Sequence, residues 1–81
     1  MRKLFMGEAQ CRAFQARYYL LEEELENPGA FGVQIEMEDE EASARDLSPS
    51  RQRVEALAES LVRGAVTPVA LRDVVDDWLL E

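Results

Sequence analysis

The chain has 81 residues, of which 47% are hydrophobic and 32% charged, so it is long enough for one domain with one core and too apolar to be disordered throughout. Its net charge of −8 opposes unspecific binding to nucleic acid and to anionic membranes, and we expect its partner to present a basic protein surface. One cysteine and no histidine exclude an internal disulfide and a zinc site made of cysteine and histidine.

The N-terminal region, residues 1–12, is predicted either as an edge strand of a sheet or as a mobile segment. Its apolar run, Leu4 to Met6, is too short for the core of a signal peptide. No later segment approaches the roughly 18 apolar residues of a membrane span. Together with the unpaired Cys11, these features indicate a cytoplasmic protein.

Residues 14–47 are predicted as the β region, although their first part, FQARYYLLEEEL, fits two interpretations. Its apolar residues lie three and four apart, as on one helix face, and it has no Gly, Pro or β-branched residue. The next segment, FGVQIEME, alternates apolar and polar residues, which is typical of a strand, and a strand needs a neighbour for its backbone. We therefore favour a strand before the NPGA turn, forming an antiparallel hairpin with FGVQIEME. ASARDL, residues 42–47, is predicted as a third, short strand.

Residues 48–81 are predicted as a helical hairpin packed on one face of the sheet. Ser48 followed by Pro49 is a helix-start signal, and Gly64 is predicted to end the first helix in a left-handed conformation. Thr67 and Pro68 repeat the start signal. The buried stripe of the second helix is predicted to consist of Leu71, Val74, Val75, Trp78 and Leu79. The expected fold is thus one α+β domain, residues 1–81, with a hairpin or three-stranded meander before two helices.

Three segments resemble a family of small uncharacterised bacterial proteins known only as a domain of unknown function. They are RYYLLEEE, FGVQIE and DLSPSRQRVEALAESLVRGAVTPVALRDVVDDWL, and the most specific part is VTPVALRDVVDDWL. The resemblance implies strands for the first two segments and a helical pair behind them. It implies no activity, ligand or catalytic residue.

No pattern in the chain indicates catalysis, a metal or a cofactor. Cys11 has no histidine to activate it, and the serines have no base partner in a hydrolase motif. The acidic run after the predicted strand lacks the ligand spacing and the turn glycine of a calcium loop. We therefore expect a protein that is not an enzyme.

Two acidic groups are the candidate partner-binding residues. Members of the first lie toward the carbonyl end of the last helix, where negative charge is disfavoured, and neighbouring arginines such as Arg51 and Arg53 offer an alternative, purely structural explanation. The first group consists of Asp73, Asp76 and Asp77, and the second of Glu38, Asp39, Glu40 and Glu41. The sequence favours a small acidic interaction or regulatory module, monomeric or homodimeric, that binds a basic protein surface rather than nucleic acid or a membrane. The alternative is a nucleic-acid mimic that inhibits a DNA- or RNA-binding enzyme.

Overall fold

The computed structural model describes residues 2–22 and 31–80. Four of its segments are strands that form one antiparallel sheet, in which the spatial order of the strands is the same as their order in the chain. They are β1 (Arg2–Gln10), β2 (Gln15–Glu22), β3 (Phe31–Glu36) and β4 (Glu41–Ser48). Two helices follow, so the α+β class is confirmed, with one strand more than the predicted meander.

The predicted pairing of the β2 and β3 segments is confirmed. β2 and β3 are antiparallel, with Tyr18 opposite Ile35 and Leu20 opposite Val33. The helical interpretation of residues 14–25 is therefore wrong over 15–22, while its last three residues and the predicted NPGA turn lie outside the described residues. The N-terminal segment is an edge strand, and the short third strand predicted at 42–47 is β4, which is slightly longer.

Alternation along the strands gives the sheet two different faces. On one face, which we call the helix face, the side chains form a dry core with both helices. Its fully or nearly fully buried members are Ala16, Tyr18, Leu20, Val33, Ile35, Val54, Leu57, Ala58, Leu61, Leu71 and Val75. The opposite face, which we call the helix-free face, carries Lys3, Phe5, Arg17, Tyr19, Gln34 and Glu36 at the intervening register positions.

The helices are α1 (Arg51–Arg63) and α2 (Leu71–Leu79), and α2 is preceded by the 3₁₀ turn Pro68–Ala70. α1 lies across β1, β2 and β3, whereas α2 packs mainly on β4 and on the 3₁₀ turn. Each helix therefore rests chiefly on the sheet, and a hairpin of two mutually packed helices is not confirmed. The two helices are linked by the Arg53 guanidinium, which lies over the Trp78 ring at 5.0 Å from its centroid.

The predicted first residue of α1 was wrong, and the reason is local. Ser48 still belongs to β4, where it is buried and its hydroxyl accepts a hydrogen bond from the Ser50 amide at 3.0 Å. The N-cap is Ser50, whose hydroxyl accepts from the Arg53 amide at 3.3 Å. Both serine hydroxyls accept a hydrogen bond from a backbone amide that follows in the chain, so the motif SPS contains two possible N-caps. The helix uses the second one, Ser50.

At the other end of α1, the left-handed residue is Ala65, with φ of 47°, and not Gly64, with φ of −86°. The Gly64 amide donates to the Ser60 carbonyl at 2.9 Å, which continues the helical pattern by one more residue. The predicted stripe of α2 also needs one correction. Leu71 and Val75 are buried and Val74 and Trp78 are half-buried, but Leu79 is exposed.

A buried hydroxyl joins the sheet to the connection between the helices. Tyr18 is fully buried in the core, and its hydroxyl donates to the Val66 carbonyl at 2.8 Å. Burial raises the pKa of the Tyr18 phenol, and the Cys11 thiolate adds to the effect. The bond satisfies a carbonyl that is otherwise outside both helices, so it holds the start of the second helical segment against β2.

Candidate partner-binding cleft

The β1–β2 and β3–β4 turns lie at the same end of the sheet, because successive strands alternate in direction. In the first turn, Cys11 and Phe14 exchange backbone hydrogen bonds of 2.8 and 3.3 Å. The second turn is closed by the Met37 amide, which donates to the Glu40 carbonyl at 2.7 Å. Each hairpin tip is therefore held in shape by its own backbone hydrogen bonds.

A cleft of about 400 Å³ opens between these two hairpin tips. The ladder between β2 and β3 stops at the pair Arg17 and Glu36, while β2 continues to Gln15 in contact with β1 alone. The two hairpins separate beyond that pair, which creates the opening. The residues that line the cleft are Ala13, Phe14, Gln15, Arg17, Glu36, Met37, Glu38, Asp39 and Glu40.

The cleft combines an apolar part with an excess of negative charge. Phe14 and Met37 are half-buried and give it an apolar surface. Around them the lining carries four carboxylates and one guanidinium, that of Arg17. Among the ion pairs between described residues, none includes Glu38, Asp39 or Glu40. These three carboxylates are exposed, so they are accessible to a cation that approaches the cleft.

Glu36 and Glu41 belong to a polar network on the helix-free face. The Lys3 ammonium forms an ion pair with Glu36 and also lies over the Tyr19 ring, 4.4 Å from its centroid. The Gln34 amide donates to Glu36 at 3.0 Å and, more weakly, to Glu41 at 3.4 Å. The hydrogen bond that the Lys3 ammonium donates to the Glu36 carboxylate raises the pKa of Lys3. Glu41, the last residue of the predicted acidic run, is thus in β4 and outside the cleft lining.

The other acidic group, the three α2 aspartates, lies apart from the cleft on the exposed side of that helix. Asp73 lies in the first turn of α2, so the expectation that all three oppose the helix dipole is wrong for this residue. Of the two arginines considered as their neutralising partners, Arg51 pairs with Glu22 and Glu55, at 3.4 and 3.3 Å, and Arg53 lies over the Trp78 ring. No ion pair between described residues includes Asp73, Asp76 or Asp77, and none of the three lines the cleft between the hairpin tips.

Sequence reasoning found three of the cleft carboxylates but missed the rest of its lining. Glu36 was assigned to the wet face of a strand, which is correct, and its place at the end of the ladder depends on the register. Phe14 entered only the helical interpretation of residues 14–25, as one of its apolar residues. The hairpin of β1 and β2 places Phe14 at its tip and the end of the β2–β3 ladder brings that tip near Met37, but β1 has no clear alternation to signal the hairpin.

No group of three or more carboxylates or thiols among residues 2–22 and 31–80 is arranged to hold a metal ion. Cys11 is exposed at the first hairpin tip, and the acids of the second tip do not converge on one point. In the described chain, no helix is both long enough and apolar enough to cross a membrane.

Comparison with protein-family models shows which family the chain belongs to. Residues 5–81 match the model of a family of unknown function, DUF6514, so this protein is a member of that family. The match confirms the resemblance to a family without a known function. No curated protein and no solved structure matches the chain.

Proposed function

We propose that this protein is a non-enzymatic cytoplasmic interaction module that receives a basic side chain of a partner protein in the cleft between its hairpin tips. The single observation that carries the proposal is the composition of the cleft. Carboxylates of Glu38, Asp39 and Glu40 stand beside the apolar surface of Phe14 and Met37. A lysine or arginine side chain matches these two parts of the cleft, because its aliphatic stem favours apolar contact while its charged group favours carboxylates.

This arrangement favours the hairpin tips over α2 as the binding surface. A cation held in a concave site loses more water than one on a flat surface, so its attraction to the carboxylates is less weakened by solvent. The α2 aspartates lie on an exposed helix surface, where each charge is screened by salt and contributes little on its own. We therefore assign partner binding to the three members of the hairpin-tip acidic group that line the cleft, Glu38, Asp39 and Glu40.

Titration with short peptides tests this assignment. We expect a capped peptide with one central arginine to shift the backbone amide resonances of both hairpin tips, and a citrulline peptide of the same length to have no such effect. Citrulline has nearly the size and shape of arginine, but a carbonyl oxygen replaces one NH2 group of the guanidinium and the side chain carries no charge. The Glu38→Gln, Asp39→Asn, Glu40→Gln triple variant should lose the response.

The matched control is the Asp73→Asn, Asp76→Asn, Asp77→Asn variant, which removes the same number of charges from α2. It should bind the arginine peptide as the parent does, apart from a uniform loss of long-range attraction that is absent at moderate salt. Equal loss in the two triple variants, or shifts that are spread over the surface, would contradict the assignment to the cleft. The natural partner can then be sought by capture from native lysate, with the hairpin-tip variant as the negative control.

The alternative function, a nucleic-acid mimic, stays a prediction, and it requires a different arrangement of carboxylates. A mimic needs several carboxylates along one surface, whereas the cleft needs only those around one bound side chain. Competition between this protein and DNA for an enzyme would support the mimic if both triple variants weaken it. The arginine-peptide response is not expected from a mimic, so the two experiments separate the two functions.

A further inference from the structure

A second interaction surface lies at the edge of the sheet formed by β1, and it is separate from the cleft. β1 is nine residues long and has no strand on its outer side among the described residues. It contains no proline, so its outer amides and carbonyls can pair with another strand. The opposite edge is different, because β4 carries a left-handed residue, Asp46, and an irregular register opposite Phe31 and Val33.

A β-bulge in β1 determines which residues of this strand lie at equal distances on either side of Phe5. Phe5 is opposite Tyr19, Lys3 is opposite Leu21, and Glu8 is opposite Arg17. The bulge between Phe5 and Gly7 adds one residue to β1, so Lys3 and Glu8 are each two positions of β2 away from Tyr19. All three β1 residues lie on the helix-free face, with Phe5 midway between a cation and an anion.

We propose that two copies of this chain pair through β1, antiparallel and about a twofold axis at Phe5, to form one continuous sheet. In this register each Lys3 lies opposite Glu8 of the other copy, and the two Phe5 rings meet at the centre. The charge pattern of β1 is complementary to itself only in the antiparallel direction, because its cations are near its start and its carboxylate is near its end. Phe5 has 58% of its surface exposed in the single chain, which leaves its ring available for the contact.

Charge over the whole molecule supports this edge as the place where two copies meet. The chain carries −8, which opposes self-association over most of its surface. Residues 2–17 differ from this average by a clear excess of positive charge, since they carry the cations Arg2, Lys3, Arg12 and Arg17 and one carboxylate, Glu8. The β1–β2 hairpin is therefore where approach of a second copy costs least.

Sedimentation velocity of the full chain, over a wide range of protein concentration at moderate salt, tests the proposal. We expect the parent to shift from monomer to dimer as concentration rises. Phe5→Glu places two carboxylates at the centre of the interface and should leave a monomer. Lys3→Glu and Glu8→Lys each place like charges opposite each other twice, and each should weaken dimerisation on the order of tenfold.

The double variant, Lys3→Glu with Glu8→Lys, distinguishes an interface from a loss of folding. It restores opposite charges across the twofold axis and should recover dimerisation, although it lacks the same Lys3–Glu36 ion pair as the single variant. Glu41→Lys, a matched charge reversal on the β4 edge, should dimerise as the parent does or more tightly, with melting curves confirming that every variant is folded. A parent that stays monomeric at every concentration, a dimer that survives Phe5→Glu, or a double variant no better than the single ones would overturn the proposal.

Discussion

The two faces of the sheet alternate residue by residue along the same strands, yet they have different physical roles. On the helix face, Tyr18, Leu20, Val33 and Ile35 have no exposed surface and pack against two helices. On the helix-free face, the Lys3 ammonium lies over the Tyr19 ring, and the Phe5 and Tyr19 rings meet with their centroids 5.7 Å apart. These three side chains remain partly exposed. Stability is therefore concentrated on the first face, and the second is freer to vary in chemistry except at Leu21 and Gly32, which are buried.

The sharpest test of this difference is Leu20→Ala. The side chain is fully buried between β2 and the helices, so its removal should lower the free energy of unfolding by about 2–5 kcal/mol. Urea unfolding followed by circular dichroism measures the change. Ile35→Val, which removes one methylene from the same face, should cost only about 0.5–1.5 kcal/mol. A loss below 1 kcal/mol, roughly that of a surface substitution, for Leu20→Ala would show that the helix face is not the main source of stability.

Gly32 is buried although it lies on the helix-free face, so Gly32→Ala should also be destabilising, by about 1–3 kcal/mol or more. A Cβ atom at this position would lie 2.2 Å from the Ala44 carbonyl oxygen, because the irregular part of β4 passes directly over the glycine. Thermal unfolding measures the effect. Gly64→Ala is the control, since its backbone is right-handed and its nearest neighbour would be 3.3 Å away. If both variants are tolerated equally, β4 does not cross Gly32 closely.

Tyr18→Phe should cost about 1–2 kcal/mol, because it leaves the Val66 carbonyl without its hydrogen bond. The pKa of this phenol is raised above its ordinary value of 10.0, so the native state holds the proton more tightly than the unfolded chain. The resulting stability is fully present below pH 10 and is lost as pH rises through the folded pKa. Unfolding measured from neutral pH into this alkaline range should show a decline that is smaller in Tyr18→Phe.

The control for the alkaline decline is Tyr19→Phe, the adjacent residue on the helix-free face. Tyr19 is half-buried beside Lys3, and this variant leaves the Tyr18 hydroxyl and its bond to the Val66 carbonyl in place, so it should keep the part of the decline that belongs to Tyr18. A decline that persists unchanged in Tyr18→Phe would assign it to other groups. Lys3 has a raised pKa as well and contributes in the same alkaline range, which Lys3→Met can separate.

Phe5→Ala should have the smallest effect on folding, within about 1 kcal/mol at a concentration where the chain is monomeric, even though it removes a larger side chain than Leu20→Ala does. The reason is that 58% of the Phe5 surface is already exposed to water and its ring contacts Tyr19 only by an edge. Urea unfolding at low protein concentration checks this. A core-sized loss would mean that the helix-free face contributes to stability as much as the helix face.

Local patterns were sufficient for most of the elements, and they failed where two signals compete or where register decides. The alternation in FGVQIE predicts β3, and the apolar spacing from Val54 to Leu61 predicts α1. SPS offers two serine caps, and only the length of β4 selects Ser50. The helical spacing around Tyr18 was misleading because Leu21 is also buried, on the other face of the strand.

The cleft was predictable only in part, for a related reason. Acidic residues in a turn are visible in any sequence, so Glu38, Asp39 and Glu40 were found. The apolar contribution of Phe14 and Met37 depends on where the β2–β3 ladder ends, and the ladder end depends on pairing between segments far apart in the chain. The β-bulge at Phe5, which sets the equivalence of Lys3 and Glu8, has no signal beyond Gly7 itself.

The four strands lie in the sheet in the same order as in the chain, and this order affects folding during synthesis. Each strand pairs with the one synthesised just before it, so the sheet can assemble on the ribosome as the chain emerges, without waiting for a distant segment. The helices come last, and both are needed to cover Leu20, Val33 and Ile35. A nascent chain that has released β4 but not α1 therefore exposes the apolar side of its sheet, and transiently exposed apolar surface of this kind favours aggregation.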